Sequence, residues 1–194
     1  AADLERGVRL RNAGEGEAFR VVSAEGVPGE PLPAAASGMS VTKQVFTLDG
    51  GPADLNAVRR NDRLVVVVEG QTADRIQGDY AIIDLLPAGW EIEGVLRPEQ
   101  PGYAWLGRLS EAQMRQARDD RYVAAVTLPD YEMDRSDPDF PQQVEGSESW
   151  EFKVAYTVRA VTPGSFALPA AAAEHMYVPR LRARTEMGRL VVAE

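Results

Sequence analysis

The sequence predicts an all-β fold, an immunoglobulin- or fibronectin-like antiparallel β-sandwich with one short helix on a connection. Three observations carry this. Many short runs are rich in β-branched and aromatic residues, Gly, Pro or Asp punctuates them at short intervals, and a single stretch has the chemistry of a helix start. At 194 residues the chain lies between one large domain and two small ones. It is long enough to bury roughly 70% of its unfolded surface around one core.

In chain order, "GVRLRN" (7–12) and "EAFRVVSAEG" (17–26) are short strand candidates, a pair too small to stand alone. The Pro-, Gly-, Ala- and Ser-rich stretch around residues 26–39 has no periodicity and reads as an extended linker. A boundary near residue 38 then divides a 1–38 strand pair and linker from a 39–194 sandwich domain. "SVTKQVFTL" (40–48) is the next strand. "RLVVVVEG" (63–70) is apolar on both faces and predicts a central strand covered on both sides. Asn61, just before it, suits a turn with positive φ.

"DYAIIDLLP" (79–87) and "WEIEG" (90–94) continue the strand pattern. The helix is expected at about 110–120, where Ser110 and Gln113 have capping-box spacing. "RYVAAVTLP" (121–129) returns to strand. "EFKVAYTVRA" (151–160) alternates Phe152, Val154, Tyr156, Val158 and Ala160 with Glu151, Lys153, Thr157 and Arg159, the period of two of a half-buried strand. "SFALP" (165–169), "RLRAR" (180–184) and "GRLVVAE" (188–194) complete the set.

Composition narrows the function classes. A formal charge of −9 repels phosphate backbones and anionic membranes, so nucleic acid is a poor partner. The absence of cysteine excludes disulfides, thiolate metal sites, cysteine nucleophiles and any thioester made by this chain itself. "LVVVV" and "PAAAA" fall far short of the roughly 20 apolar residues of a membrane span. The opening "AADLERGVRLRN" lacks the pattern of a signal peptide and begins mid-pattern, as a fragment of something longer would.

"AAAEHMYVPRLRA" (171–183) holds the one histidine, His175. A catalytic triad needs a nucleophile and an orienting carboxylate around such a residue, and no GxSxG elbow occurs. As a metal ligand it has no second imidazole, no thiolate and only Glu174 close in sequence, so no metal site is assigned. A surface-loop histidine is the simpler account.

In "DYEMDRSDPD", Asp130, Glu132 and Asp134 are spaced like a calcium loop, but Arg135 and Pro141 stand where such a loop needs Gly and Glu. The connection 129–149 reads as a solvated acidic loop. Thirty acidic residues make a chance glycosidase-like pair uninformative. "RDDR" (118–121) reads as charge pairing at a helix end, and "LDGGPAD" as a turn with no phosphate-cradling geometry. Trp90, Trp105 and Trp150 could form a carbohydrate platform but suit core packing better.

Three stretches together resemble one family. "YAIIDLLPAGWEIE" (80–93), "RDDRYVAAV" (118–126) and "VAYTVRAVTPGSFALPAAAAEHMYVPRLRARTEMGRLVV" (154–192) are similar to the C-terminal macroglobulin-like domain of bacterial alpha-2-macroglobulins. The opening hairpin and "PGEPLPAAASGMSVTKQVFTLDG" look like the exit from that family's preceding CUB and thioester region.

The resemblance implies a non-catalytic part of a large periplasmic inhibitor of many endopeptidases, anchored through an N-terminal lipid. In that family a protease cuts a bait segment and a Cys–Gln thioester captures it. The implied role of this domain is a lid, its partners being the upstream thioester domain of the same polypeptide and, through the whole protein, the target proteases. Met176 and Tyr177, with His175 beside them and Pro179 stiffening the loop, would cover the thioester against water and amines. No cofactor is implied.

In the simpler reading both side chains face their own core or solvent. The rival functions are a free-standing carbohydrate-binding or adhesin-like module and, weakest, a β-sandwich hydrolase. An upstream Cys-x-Glu-Gln motif, glycan binding or ester and glycoside turnover would separate them.

Overall fold

The computed structural model describes residues 11–21, 31–98, 100–134, 136 and 142–194. Its strands are β1 (Ala35–Ser37), β2 (Met39–Thr47), β3 (Val58–Arg59), β4 (Arg63–Thr72), β5 (Gly78–Leu85), β6 (Trp90–Val95), β7 (Met114–Ala117) and β8 (Arg121–Leu128). They continue with β9 (Met133–Asp134), β10 (Gln142–Gln143), β11 (Glu151–Ala160), β12 (Gly164–Leu168), β13 (Ala171–His175), β14 (Arg182–Arg184) and β15 (Gly188–Ala193).

Two larger sheets face each other, one in the order β1-β14-β13-β5-β8-β7 and the other β2-β4-β11-β6. Smaller sheets join β12-β15-β3 and β10-β9. Among the described residues every strand pairing is antiparallel except β15 with β3. The fold is the all-β sandwich that the sequence predicts.

The core lies between the two larger sheets and follows from strand periodicity. Leu64, Val66 and Val68 of β4, Tyr80 and Ile82 of β5, Tyr122 and Val126 of β8, and Phe152, Val154, Tyr156 and Val158 of β11 meet there. The Tyr122 and Tyr156 rings stack at 4.6 Å across it.

A second cluster lies on the outer face of the smaller of these sheets. From the connection that follows β6, Leu96, Leu106 and Leu109 pack on Val65, Val67 and Ala155. This cover explains why β4 is apolar on both faces. Ala155 is buried in this cluster and Thr157 is buried too, so the middle of β11 is enclosed on both sides and not half-buried. The connection's short 3₁₀ turn, Ala104–Leu106, is the helical element among the described residues, and none of their helices is long and apolar enough to cross a membrane.

The helix expected at 110–120 is a correction: Met114–Ala117 is strand β7, paired with Tyr122–Ala125 of β8. Ser110 does not cap a helix. Its hydroxyl accepts from the Lys153 amide at 3.1 Å, while its own amide donates to the Lys153 carbonyl. The Gln113 amide donates to the Ala125 carbonyl, and its side chain reaches Thr127 Oγ1 at 2.6 Å. An open sheet edge at β8 outbids a local helix, because it satisfies the same backbone groups and adds cross-strand contacts. "RDDR" accordingly turns a hairpin between β7 and β8, where Arg121 pairs with Asp120.

Ala35–Ser37, within the stretch read as linker, pairs as β1 along β14. Of the expected strand 17–26, residues 17–21 are exposed and outside any strand; the remainder, and most of 7–12, lie outside the described residues. Residues 135 and 137–141 of the acidic connection do also. Asn61 has φ 70°, as its turn requires.

Candidate functional site

β13 and its turn into β14 build the site. Along β13, Ala171, Ala173 and His175 point inward and are buried, whereas Ala172 and Glu174 point outward. The strand lies antiparallel between β5 and β14, with His175 opposite Tyr80. The chain then leaves the sheet through Met176–Arg180 and returns at Leu181, whose side chain is fully buried.

Backbone bonds brace the turn at both feet. The His175 amide donates to the Leu181 carbonyl, the Met176 amide to the Asp79 carbonyl and the Leu181 amide to the Val178 carbonyl, each at 2.9 Å. Val178 packs against the core, and Arg180 pairs with Asp74 on the flank.

Between these anchors Met176 is 43% and Tyr177 79% exposed, and Pro179 is exposed too. His175 is not a surface-loop residue but 5% exposed, a correction to the simpler account. It closes an alternating strand, so its ring falls in the inward phase. The Tyr80 ring meets it edge to face at 4.7 Å, and Tyr177 lies at 6.5 Å in the same manner. The imidazole Nδ1 accepts the Tyr177 amide at 3.0 Å. A Cβ on Gly78 would come 2.6 Å from Nε2, so glycine there makes room for the ring.

The structure therefore brings His175 and Tyr177 together through one hydrogen bond, with Met176 and Pro179 on the same turn. A buried ring whose acceptor is occupied by a backbone amide holds a turn and lacks the geometry of a proton shuttle.

A second polar group escaped sequence reasoning. Lys43 Nζ donates to Asp84 Oδ1 at 2.7 Å, and the Tyr156 hydroxyl donates to Oδ2 at 2.7 Å. Lys43 also reaches the Pro169 carbonyl at 3.3 Å, just before β13. Burial pushes the Asp84 carboxyl above its ordinary value, against the pull of Lys43 and of the hydrogen bond from Tyr156. Its signal was available: Lys43 is in phase with Met39, Val41 and Val45, and Asp84 with Tyr80 and Ile82, so each charge occupies an inward position.

Among the other candidates, Asp130 pairs with Arg108 at 3.3 Å, and burial raises its carboxyl value. The tryptophans do not form one platform. Trp90 is in the main core, Trp150 packs at its margin, and Trp105 covers the outer cluster beside Phe46.

Known proteins resemble this chain in sequence and in fold. The alpha-2-macroglobulin of Escherichia coli (strain K12) is 29% identical over 188 residues, which is 91% of this chain and 10% of that protein. That of Xylella fastidiosa (strain Temecula1) is 31% identical over 192 residues, 94% of this chain and 10% of that protein. The chain thus spans about a tenth of the length of these curated relatives.

The Salmonella alpha-2-macroglobulin reacted with methylamine superposes with a TM-score of 0.69 at 26% identity, over 87% of this chain and 10% of that one. The native Escherichia coli protein spanning domain MG7 to the C-terminus gives 0.67 at 26% identity, over 87% of this chain and 25% of that one. Residues 38–180 match the bacterial alpha-2-macroglobulin MG10 domain family, and with about three quarters of its 194 residues inside that match, this chain belongs to that family.

Proposed function

We propose that this domain is a non-catalytic module of a broad-range protease inhibitor and that it docks, through Met176 and Tyr177, over the thioester of an upstream domain in the same polypeptide. The observation that carries the reading is the exposure of two large apolar side chains, 43% and 79%, at the end of a turn braced by buried residues. An aromatic plate and a flexible thioether on a stiff support suit the exclusion of water from a neighbour's reactive bond. The whole protein's activity belongs to a polypeptide about ten times this length, by the share of its relatives that the chain spans.

On this reading target proteases meet the full-length protein, and this domain responds through its docking. The same reading places that protein in the periplasm, held by an N-terminal lipid. The Salmonella relative reacted with methylamine, and Escherichia coli relatives activated by porcine elastase and by trypsin, supply the reagents for a test.

The test is Tyr177→Ala in the full-length protein, with methylamine uptake measured before any protease is added. Uptake should rise at least severalfold. An unchanged rate overturns the shielding role.

A further inference from the structure

We infer that His175 is the positioning residue of the tip: its neutral Nδ1 holds the Tyr177 amide, so that protonation of the ring releases the tyrosine. The inference rests on the shielding role of Tyr177 and adds what sets that side chain in place and what would loosen it.

The geometry is specific. The acceptor at 3.0 Å from the Tyr177 amide is a side-chain atom of the residue two positions earlier, as in an Asx turn, with an imidazole in place of the amide or carboxylate oxygen. An Nδ1 that accepts requires the neutral ring with its proton on Nε2. Nε2 is buried and has no hydrogen-bond partner among the described residues, because its side of the ring abuts Gly78. A second proton would set an N–H against the Tyr177 N–H and bury a charge to which no carboxylate among the described residues is hydrogen-bonded.

Among the described residues the neighbouring charges are engaged elsewhere. From β5 the ring is faced by Tyr80, whose hydroxyl already donates to the Ile76 carbonyl at 2.6 Å. From the turn it is faced by Tyr177. Strand alternation puts Asp79 and Glu174 on the opposite face of the sheet, where Asp79 accepts from Thr127 at 2.7 Å. Asp74 is paired with Arg180, and Lys43 of β2 is engaged by Asp84, which lies opposite Ala171 at the other end of β13.

The test compares the 194-residue chain with His175→Asn and His175→Leu. Asn keeps an acceptor for the amide two residues on but does not titrate; Leu has none. Amide exchange of Tyr177, expressed as protection relative to an unstructured peptide, is followed by NMR from neutral pH down to the acid limit of the folded chain. Wild type should lose protection roughly five- to tenfold on acidification, the worth of one ordinary hydrogen bond.

His175→Asn should hold its protection throughout, and His175→Leu should lack it at every pH. Protection in wild type that does not change with pH, or that declines equally in His175→Asn, overturns the inference, and that pair decides the matter even if His175→Leu fails to fold. In the full-length protein His175→Leu should raise methylamine uptake and His175→Asn should restore it. If Tyr177→Ala leaves uptake unchanged, it is the shielding role that falls, while the exchange experiment still decides what holds the turn.

Discussion

Lys43 of β2 and Asp84 of β5 meet at 2.7 Å between the two larger sheets, each with its side chain almost wholly buried. Tyr156 of β11 completes the group from the Lys43 side, so one carboxylate ties strands that lie far apart in sequence.

Breaking this pair should cost far more than replacing it. Lys43→Met leaves a buried carboxylate without its cation and should destabilise the chain by about 3–5 kcal/mol, whereas an apolar set at all three positions should be close to neutral. Urea unfolding of Lys43→Met and of Lys43→Met/Asp84→Leu/Tyr156→Phe checks the contrast. Equal losses would mean that packing volume matters and charge pairing does not.

The same carboxyl gives a pH dependence whose sign is determined. Burial raises the Asp84 value above 3.8, so the folded chain keeps a proton that the unfolded chain releases. Its contribution to stability is full below that unfolded value and is lost as pH rises through the folded one. The stability of wild type relative to Asp84→Asn should therefore fall as pH is raised from 3.8. Denaturation curves taken along that range should diverge; parallel curves would refute the assignment.

Gly50 has φ 91°, and a Cβ there would meet the Trp105 ring at 2.7 Å. Gly50→Ala should cost about 1–3 kcal/mol from backbone strain plus displacement of the indole. Trp105 holds the Leu48 carbonyl through Nε1 at 3.1 Å and covers the outer cluster, so its fluorescence should shift with the loss of stability.

The tip should be dispensable for folding. Met176→Ala and Tyr177→Ala remove exposed side chains and should change unfolding free energy by less than about 0.5 kcal/mol. Thermal melts that stay in place beside a raised methylamine uptake would separate docking from stability. A large drop in melting temperature would show that the tip belongs to its own core.

The sequence by itself determined the strands richest in β-branched and aromatic residues, β4, β8 and β11 above all, and with them the sandwich. It also marked the turn at Asn61, because side-chain alternation, φ preference and residue type are local properties. Only the tertiary structure decided that 114–117 is strand, since a capping-box spacing competes there with an edge that residues 122–125 supply. Only it showed that the alanines of β13 form a strand. Alanine has little strand preference of its own, and β5 and β14 provide the pairing.

The inward phase of His175 and the meeting of Lys43 with Asp84 depend in the same way on partners dozens of residues away. Sequence periodicity states which side of a strand a residue takes, but contact, burial and hydrogen bonding are set by what the fold brings to that side.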